Sequence, residues 1–230
     1  MPYSLACNNP AIEALVGKFE SGKVTTLYGN AGSGKTTSCL LATISASRQG
    51  KVIYVDTEGG FDTLRLKQLY TEDIEAVLNQ VFLIQPKTYN EQFDVIQKLH
   101  SLCSNPKISL VVVDTFGKHY RRALQDDAKE VNAMMIMQLQ TLVRIARDMD
   151  KVVLVTNQVH ANLKTKDTVS MVGGKPIFNN SKCVIELHKG DFGRDARLVR
   201  YKMENEKDVH PSLDKRIRFQ IEEKGITLIN

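Results

Sequence analysis

A glycine-rich octapeptide near the start of the chain restricts its fold more than any other feature. The segment Gly29-Asn30-Ala31-Gly32-Ser33-Gly34-Lys35-Thr36 fits the pattern G-x-x-x-x-G-K-[ST] and lies between an apolar run, Val24–Leu27, and a helical pattern that starts at Lys35. Glycines here let successive backbone N–H groups surround a phosphate, and the following helix N-terminus adds a favourable dipole. We therefore predict a phosphate-binding loop in which Lys35 contacts phosphates and Thr36 binds Mg²⁺.

Short β-rich runs alternate with longer helical patterns over the first two thirds of the chain. The runs are rich in Val, Ile and Leu without strict alternation, which is typical of strands buried on both faces of a parallel sheet. The predicted strands are Val24–Leu27, Val52–Val55, Val81–Ile84, Ser109–Val113 and Val152–Val155, and the predicted helices are Lys35–Arg48, Phe61–Tyr70, Asn90–Ser104 and Asp127–Met149.

The pattern changes after Val155, where strands follow one another. These are Val184–Leu187, Leu198–Lys202, Ile217–Ile221 and Thr227–Ile229, with a hairpin turn at Lys189–Arg194. The sequence thus predicts an α/β fold with a mostly parallel central sheet, flanking helices and antiparallel strands added at the C-terminal edge. Since no Pro/Gly-rich linker divides the chain, we expect a short N-terminal extension, residues 1–22, and one core, residues 23–230.

Composition and charge exclude several classes of protein. The 230 residues are 42% hydrophobic and 25% charged, a globular balance, and the net charge of +5 permits a nucleic-acid partner. Leu110–Val113 is too short an apolar run to span a membrane, and no signal-peptide core is visible near the start. The four cysteines form no CxxC pair, which favours reduced thiols and a cytoplasmic location.

Three further polar residues follow predicted strands. Asp114 ends an apolar strand, where a carboxylate can bind the metal of a nucleoside triphosphate. Glu58 ends another, where it could activate water; Asp56 is a competitor that lies closer to the strand body. Gln158 follows a third strand and could contact the terminal phosphate. Glu58 and Gln158 could instead cap a helix or form loop hydrogen bonds.

The order of these motifs, together with the Gly173-Gly174 pair, resembles the ATPase core of the RecA superfamily, in its branch of archaeal RadA and eukaryotic recombinases. The resemblance implies ATP and Mg²⁺ as cofactors, Glu58 as catalytic base, Gln158 as sensor of the γ-phosphate, and Thr36 and Asp114 as metal ligands. With Lys35 of the phosphate loop, Glu58 and Gln158 form the predicted catalytic set. The resemblance also implies that Arg65 stacks on adenine; the alternative for Arg65 is a place on the surface of its predicted helix without such a contact. The residues predicted to bind nucleotide are Gly29, Asn30, Ala31, Gly32, Ser33, Gly34, Lys35, Thr36, Thr37 and Arg65.

The resemblance implies two loops that face DNA. The first, Phe116–Arg122, carries Lys118, Tyr120, Arg121 and Arg122, a set suited to a single-stranded backbone and to stacking of a base on tyrosine. The second loop, His160–Met171, carries Lys164 and Lys166. From the residues alone, both could be solvated basic loops. With the family we predict binding of single-stranded DNA without sequence preference.

Only 28 residues precede Gly29, which is too few for the N-terminal DNA-binding domain of full-length RadA-type recombinases. We therefore expect an ATP- and DNA-binding accessory protein of recombination and repair, with weak ATPase activity and at most weak self-association. The alternative is an ATP-gated, non-catalytic mediator that recruits proteins such as a RadA-type recombinase. A small-molecule P-loop kinase is a third hypothesis, which gives Gln158 no role.

Overall fold

The computed structural model describes residues 3–125, 127–160, 170–203 and 208–229. Its strands are β1 (Ser4–Ala6), β2 (Lys18–Glu20), β3 (Lys23–Gly29), β4 (Lys51–Asp56), β5 (Val81–Ile84), β6 (Ile108–Asp114), β7 (Val152–Asn157), β8 (Val159–His160), β9 (Ser170–Met171), β10 (Cys183–Gly190), β11 (Gly193–Tyr201), β12 (Arg216–Glu222) and β13 (Gly225–Leu228). Its helices are α1 (Pro10–Val16), α2 (Lys35–Ser47), α3 (Thr63–Leu69), α4 (Ile74–Leu78), α5 (Tyr89–Leu102), α6 (Gly117–Ala123), α7 (Ala128–Asp148) and α8 (Gly174–Asn180).

A nine-stranded sheet in the order β13-β12-β11-β10-β3-β7-β6-β4-β5 organises the molecule. The strands from β10 to β5 in this order are parallel, whereas β10, β11, β12 and β13 pair antiparallel. The predicted fold class is therefore confirmed. Because β3, β4, β6 and β7 are parallel neighbours, their carboxyl ends meet at one edge of the sheet, where an α/β fold binds its ligands.

Helices cover both faces of this sheet, which explains why the central strands are apolar throughout. Alternate residues of β6 face opposite layers: Leu110 and Val112 pack with α2 on one side, and Val111 and Val113 pack with α5 and α7 on the other. All seven residues of β6 are buried. The absence of strict alternation in the sequence follows directly from this two-sided burial.

The residues before Lys23 pack against the sheet. The segment forms β1, α1 and β2, and α1 contacts β11, β12 and β13. Its apolar side chains, among them Leu5, Ile12 and Phe19, join the same hydrophobic layer as α2. Asn9 caps α1 by accepting hydrogen bonds from the Ala11 and Ile12 N–H groups.

The segment Phe116–Arg122, predicted as a loop, is largely the helix α6. The segment is helical because Phe116 and Tyr120 are one helical turn apart, and both are buried against the layer that contains α7. The sequence prediction did not use this spacing. Gly117 begins the helix where a side chain cannot fit, because a Cβ there would lie 2.4 Å from Asn157 Oδ1.

Within the described ranges, no helix is long and apolar enough to cross a membrane, and no group of three or more His, Cys, Asp and Glu side chains is arranged to hold a metal ion. All four cysteines are buried and free. Burial raises the pKa of the Cys103 thiol to about 11 and that of Cys183 to about 12.

Candidate nucleotide and DNA site

The glycine-rich loop connects β3 to α2 at the carboxyl edge of the sheet, as the sequence predicted. Gly32 and Gly34 have φ values of 70° and 104°, a region in which L-residues with side chains are strained. Gly29 is required for a different reason, because a Cβ at this position would lie 1.7 Å from the carbonyl oxygen of Leu187. These three glycines give the loop the curvature that a phosphate cradle needs.

The Lys35 ammonium lies inside the curve of the loop. Its Nζ donates hydrogen bonds to the carbonyl oxygens of Gly29, at 2.9 Å, and Asn30, at 2.8 Å. Burial lowers the pKa of Lys35, and the nearby carboxylates of Asp114 and Glu58 oppose that shift. The side chain is thus held at the loop without a carboxylate partner at ion-pair distance among the described residues.

Thr36 and Asp114, the predicted metal ligands, border a common space beside Gly60. A Cβ built on Gly60 would lie 3.6 Å from Thr36 Oγ1 and 3.9 Å from Asp114 Oδ2. Asp114 is 4% exposed, and its carboxylate accepts hydrogen bonds from Tyr54 Oη, at 2.9 Å, and from Thr156 Oγ1. Tyr54 and Thr156 therefore orient the carboxylate, a role that the sequence did not reveal.

Asp56 holds the segment that carries Glu58. Its carboxylate accepts hydrogen bonds from four successive backbone N–H groups, those of residues 58 to 61, at 2.8–3.1 Å, and from Gln85 Nε2 at 3.1 Å. Asp56 is 1% exposed and points away from solvent. Of the two acidic candidates on this strand, Asp56 is thus engaged in holding the loop, and Glu58 is the one that faces the cleft.

Glu58 and Gln158 meet at the mouth of the cleft, although neither was predicted to contact the other. Gln158 Nε2 donates a hydrogen bond to Glu58 Oε1. Burial and the charge of Asp114 raise the pKa of Glu58, while Lys118, Lys35 and the Gln158 hydrogen bond lower it; the net direction is upward. A carboxylate with a raised pKa is suited to accept a proton.

These groups line one cleft of about 770 Å³ at the carboxyl edge of the parallel strands. Every predicted nucleotide-binding residue from Gly29 to Thr37 lines it, together with Glu58, Asp114 and Gln158. Strands β10 to β12 close the opposite side with residues that sequence reasoning missed: Glu186, Leu187, His188, Arg194 and Ile221. They are far from the glycine-rich loop in sequence, and no local motif marks them.

Asn157 links the cleft to the segments that follow β6 and β7. The buried Asn157 side chain donates a hydrogen bond to the Val172 carbonyl at 2.6 Å and accepts one from the Gln158 N–H at 3.0 Å. The Val172 N–H in turn donates to the Gln158 carbonyl at 3.0 Å. These bonds close the base of the second predicted DNA loop, and the Asn157 amide also packs against Gly117 at the start of α6.

The residues predicted to contact DNA differ in their surroundings. Tyr120 is 5% exposed and donates a hydrogen bond from its hydroxyl to Asn132 Oδ1 at 2.8 Å, so the predicted stacking of a base on this ring is wrong for this conformation. Lys118 Nζ donates to the Thr57 carbonyl at 2.6 Å, close to Glu58. Arg121 and Arg122 are exposed on α6. Lys164 and Lys166 lie outside the described residues.

Arg65, predicted to stack on adenine, fastens α3 to the turn between β12 and β13. Its guanidinium donates to the carbonyl oxygens of Glu222 and Glu223, both at 2.8 Å, and to Gln68 Oε1 at 2.9 Å. Among the described residues it is not part of the cleft lining. The adenine contact therefore stays a prediction.

Comparison with known proteins identifies the family. A family model described as Rad51 matches residues 8–228. DNA repair and recombination protein RadB from Methanocaldococcus jannaschii is 36% identical over 221 residues, covering 95% of this chain and 99% of the relative. The protein of the same name from Archaeoglobus fulgidus is 34% identical over 190 residues, 82% of this chain and 84% of the relative.

A solved structure agrees with these sequence matches. The crystal structure of the RadB recombinase superposes with a TM-score of 0.78 at 31% identity, covering 96% of this chain and 98% of that one. The predicted resemblance to the recombinase branch of the RecA superfamily is confirmed, and the chain belongs to the Rad51 family.

Proposed function

We propose that this chain is an ATP- and DNA-binding accessory protein of homologous recombination and DNA repair, with weak ATPase activity that DNA modulates. Relatives covering nearly the whole chain are named as DNA repair and recombination proteins. The observation that carries the proposal is the convergence of the phosphate loop, the Thr36–Asp114 pair and the Glu58–Gln158 pair on one cleft.

The residues of the cleft fit a magnesium nucleotide. The space that a Gly60 side chain would fill is bordered by a hydroxyl and a carboxylate, the oxygen ligands that Mg²⁺ prefers. The glycine loop offers backbone N–H groups, and Lys35 offers a cation within it. When bound, Mg²⁺ polarises the terminal phosphate of ATP for attack by water.

The side chains then have separate tasks. Thr36 and Asp114 hold the metal, with Asp114 fixed by Tyr54 and Thr156. Glu58 accepts the proton of the attacking water at a carboxylate oxygen, and its raised pKa keeps it a competent base. Gln158 is the group that a terminal phosphate would draw away from Glu58, since an amide N–H can donate to either acceptor.

DNA modulation would reach the cleft through two hydrogen-bonded links. Asn157 ties Gln158 to Val172, and the Lys118 ammonium reaches the Thr57 carbonyl next to Glu58. If DNA phosphates attract Lys118, the Thr57 contact is lost and a positive charge leaves the neighbourhood of Glu58. The nucleotide and DNA sites thereby share residues whose positions both ligands change.

One observation favours the alternative, an ATP-gated mediator without turnover. In this conformation the polar atoms needed for hydrolysis are engaged within the protein: Gln158 binds Glu58, and Lys35 binds loop carbonyl oxygens. A chain that keeps these bonds when ATP is present would bind nucleotide and hydrolyse little of it, and its role would lie in recruiting a RadA-type recombinase.

The deciding experiment measures ATP hydrolysis by the purified protein with and without single-stranded DNA. The variant Lys35→Ala, which lacks the phosphate-loop ammonium, is the negative control. Equilibrium binding of ATP is measured on the same samples. We expect weak hydrolysis that DNA changes and that Lys35→Ala abolishes. Binding without DNA-dependent hydrolysis would support the mediator instead. Absence of ATP binding by the unaltered protein would contradict both functions.

A further inference from the structure

The hairpin of β10 and β11 lies against the phosphate loop and is firmly attached to it. The side-chain amide of Asn30 exchanges two hydrogen bonds with the backbone of Lys189, both at 2.9 Å. Strand β10 also pairs with β3 up to Leu187 and Gly29. The hairpin is therefore a fixed wall of the nucleotide cleft.

Arg194 extends from this wall to the loop itself. Its backbone is held between two strands, in register with Lys189 on β10 and Phe219 on β12. Its Nε donates a hydrogen bond to the Gly32 carbonyl at 2.8 Å, and the residue lines the cleft. The Lys189 side chain lies on the same side, since a Cβ on Gly32 would be 3.6 Å from Lys189 Nζ. Two cations thus flank Gly32.

The charge of Arg194 has no carboxylate to neutralise it among the described residues. Glu186, the acidic residue of this wall that lines the cleft, pairs with Arg197 at 2.9 Å, and Asp195 lies 3.8 Å from Arg218. A guanidinium carries five N–H donors, and the bond to Gly32 uses one of them. Arg194 therefore brings a planar donor group with unspent hydrogen-bonding capacity to the rim of the cleft.

We propose that Arg194 is a second phosphate-binding residue, which contacts the terminal phosphate of a bound nucleoside triphosphate and, with Lys189, makes the site prefer triphosphates over diphosphates. The loop N–H groups and Lys35 enclose the inner phosphates. Arg194 approaches from the hairpin side, and its fork matches the geometry of phosphate oxygens. This inference deepens the proposed function and depends on it.

A purely mechanical role makes a different prediction. If Arg194 only clamps the loop through the Gly32 carbonyl, its removal disturbs the cradle of all the phosphates. Triphosphate and diphosphate then lose affinity by the same factor. If Arg194 contacts the terminal phosphate, the loss falls on the triphosphate, because ADP lacks the group that the guanidinium binds.

The test measures binding of a non-hydrolysable ATP analogue and of ADP by calorimetry, in the presence of Mg²⁺, for the unaltered protein and for Arg194→Gln. The matched control is Arg216→Gln, which removes the same charge from an exposed position on β12 outside the cleft lining. We expect Arg194→Gln to weaken triphosphate binding about 10- to 100-fold, as for loss of a charged hydrogen bond, and ADP binding less than about threefold. Arg216→Gln should change neither.

Equal losses for both nucleotides, or no loss for either, would overturn the inference while leaving the proposed nucleotide site intact. If the unaltered protein binds neither nucleotide, the proposed function itself fails, and the inference fails with it. Should Arg194→Gln not fold, Arg194→Lys keeps a cation of shorter reach at the same position. If Arg194→Lys retains part of the preference for triphosphate over diphosphate, the phosphate contact is supported. If Arg194→Lys shows no such preference, the phosphate contact is contradicted.

Discussion

The side-chain amide of Gln158 donates a hydrogen bond to the carboxylate of Glu58, joining two residues 100 positions apart in sequence. The bond connects the segment that follows β4 to the segment that follows β7, and it lies at the mouth of the cleft. It also lowers the pKa of Glu58 against the larger upward effects of burial and Asp114. The protonation of the proposed base therefore depends on where the Gln158 amide points.

Replacing Gln158 by Leu should raise the pKa of Glu58 further, because the substitution removes a donor to the charged form. The base is the deprotonated form, which is lost as pH falls through the pKa, so the acid limb of ATP hydrolysis should move to higher pH. Carbon NMR of the Glu58 carboxyl during a pH titration measures the shift without turnover. Gln68→Leu, a change on the exposed side of α3, is the control. An unchanged or lower Glu58 pKa in Gln158→Leu would contradict this coupling.

Gly60→Ala should weaken nucleotide binding in a metal-dependent way. The added methyl would lie 3.3 Å from Thr36 Cγ2 and between the two proposed metal ligands, and the φ of Gly60 is outside the left-handed region. We expect about a tenfold loss of nucleotide affinity with Mg²⁺, little loss in EDTA and an unchanged melting temperature. Gly190→Ala is the matched control, since its methyl would meet only His188, at 3.8 Å. Equal losses with and without Mg²⁺ would count against a metal between Thr36 and Asp114.

Asp56→Asn should destabilise the protein although the side chain hardly changes size. Oδ1 accepts from three backbone N–H groups, while Oδ2 accepts from the Phe61 N–H and from Gln85 Nε2. In asparagine, one of the two carboxylate oxygens is replaced by an NH₂ group, which would face N–H donors. The substitution also removes the buried negative charge that strengthens these hydrogen bonds. We expect the free energy of unfolding to fall by about 2–4 kcal/mol in urea titrations.

The control for Asp56 is Asp62→Asn at the exposed N-cap of α3, where asparagine caps about as well as aspartate. It should cost no more than about 0.5 kcal/mol. Equal effects of the two substitutions would show that Asp56 does not hold the Glu58 segment through its charge.

Local patterns were sufficient for most of the fold. The apolar runs identified β3, β4, β6 and β7, because parallel strands that are buried on both faces differ sharply from their surroundings in composition. The run Val81–Ile84 also identified β5, but β5 is the edge strand of the sheet and none of its residues is buried, so the predicted burial on both faces is wrong for it. The short elements α1 and α8 were not predicted, since their stability comes from packing rather than from length or periodicity. Helix α6 was not predicted, because Phe116–Arg122 was interpreted as a DNA-facing loop, although Phe116 and Tyr120 have the spacing of one buried helical face.

The candidate site, like the fold, was predicted only in part from local patterns. Gly29 to Thr36 form a contiguous motif. Asp114 is the last residue of β6, and Glu58 and Gln158 follow the ends of β4 and β7, so the topology alone brings them to one edge. The groups that orient these residues are scattered along the sequence. Tyr54 and Thr156 donate hydrogen bonds to Asp114, and Arg194, which contacts the glycine-rich loop at Gly32, lies more than 150 residues after that loop. Such partners depend on side-chain packing in three dimensions and leave no spacing in the sequence.

We expect the exposed arginines of α6 to contribute to DNA affinity and the buried Tyr120 not to contribute. Replacing Arg121 and Arg122 together by Gln should weaken binding to single-stranded DNA and reduce the slope of log affinity against log salt by about 1.4, because each phosphate contact contributes about 0.7. Tyr120→Phe should leave DNA affinity unchanged and cost about 1 kcal/mol of stability, through loss of the bond to Asn132. Fluorescence anisotropy at several salt concentrations measures DNA binding by both variants, with the exposed pair Arg48→Gln/Lys67→Gln as the charge-matched control. Urea titration measures the stability of Tyr120→Phe. A DNA-binding defect in Tyr120→Phe would show that the Tyr120 hydroxyl matters for DNA binding and would contradict the expectation for Tyr120. An unchanged slope without the two arginines would place the phosphate contacts outside α6.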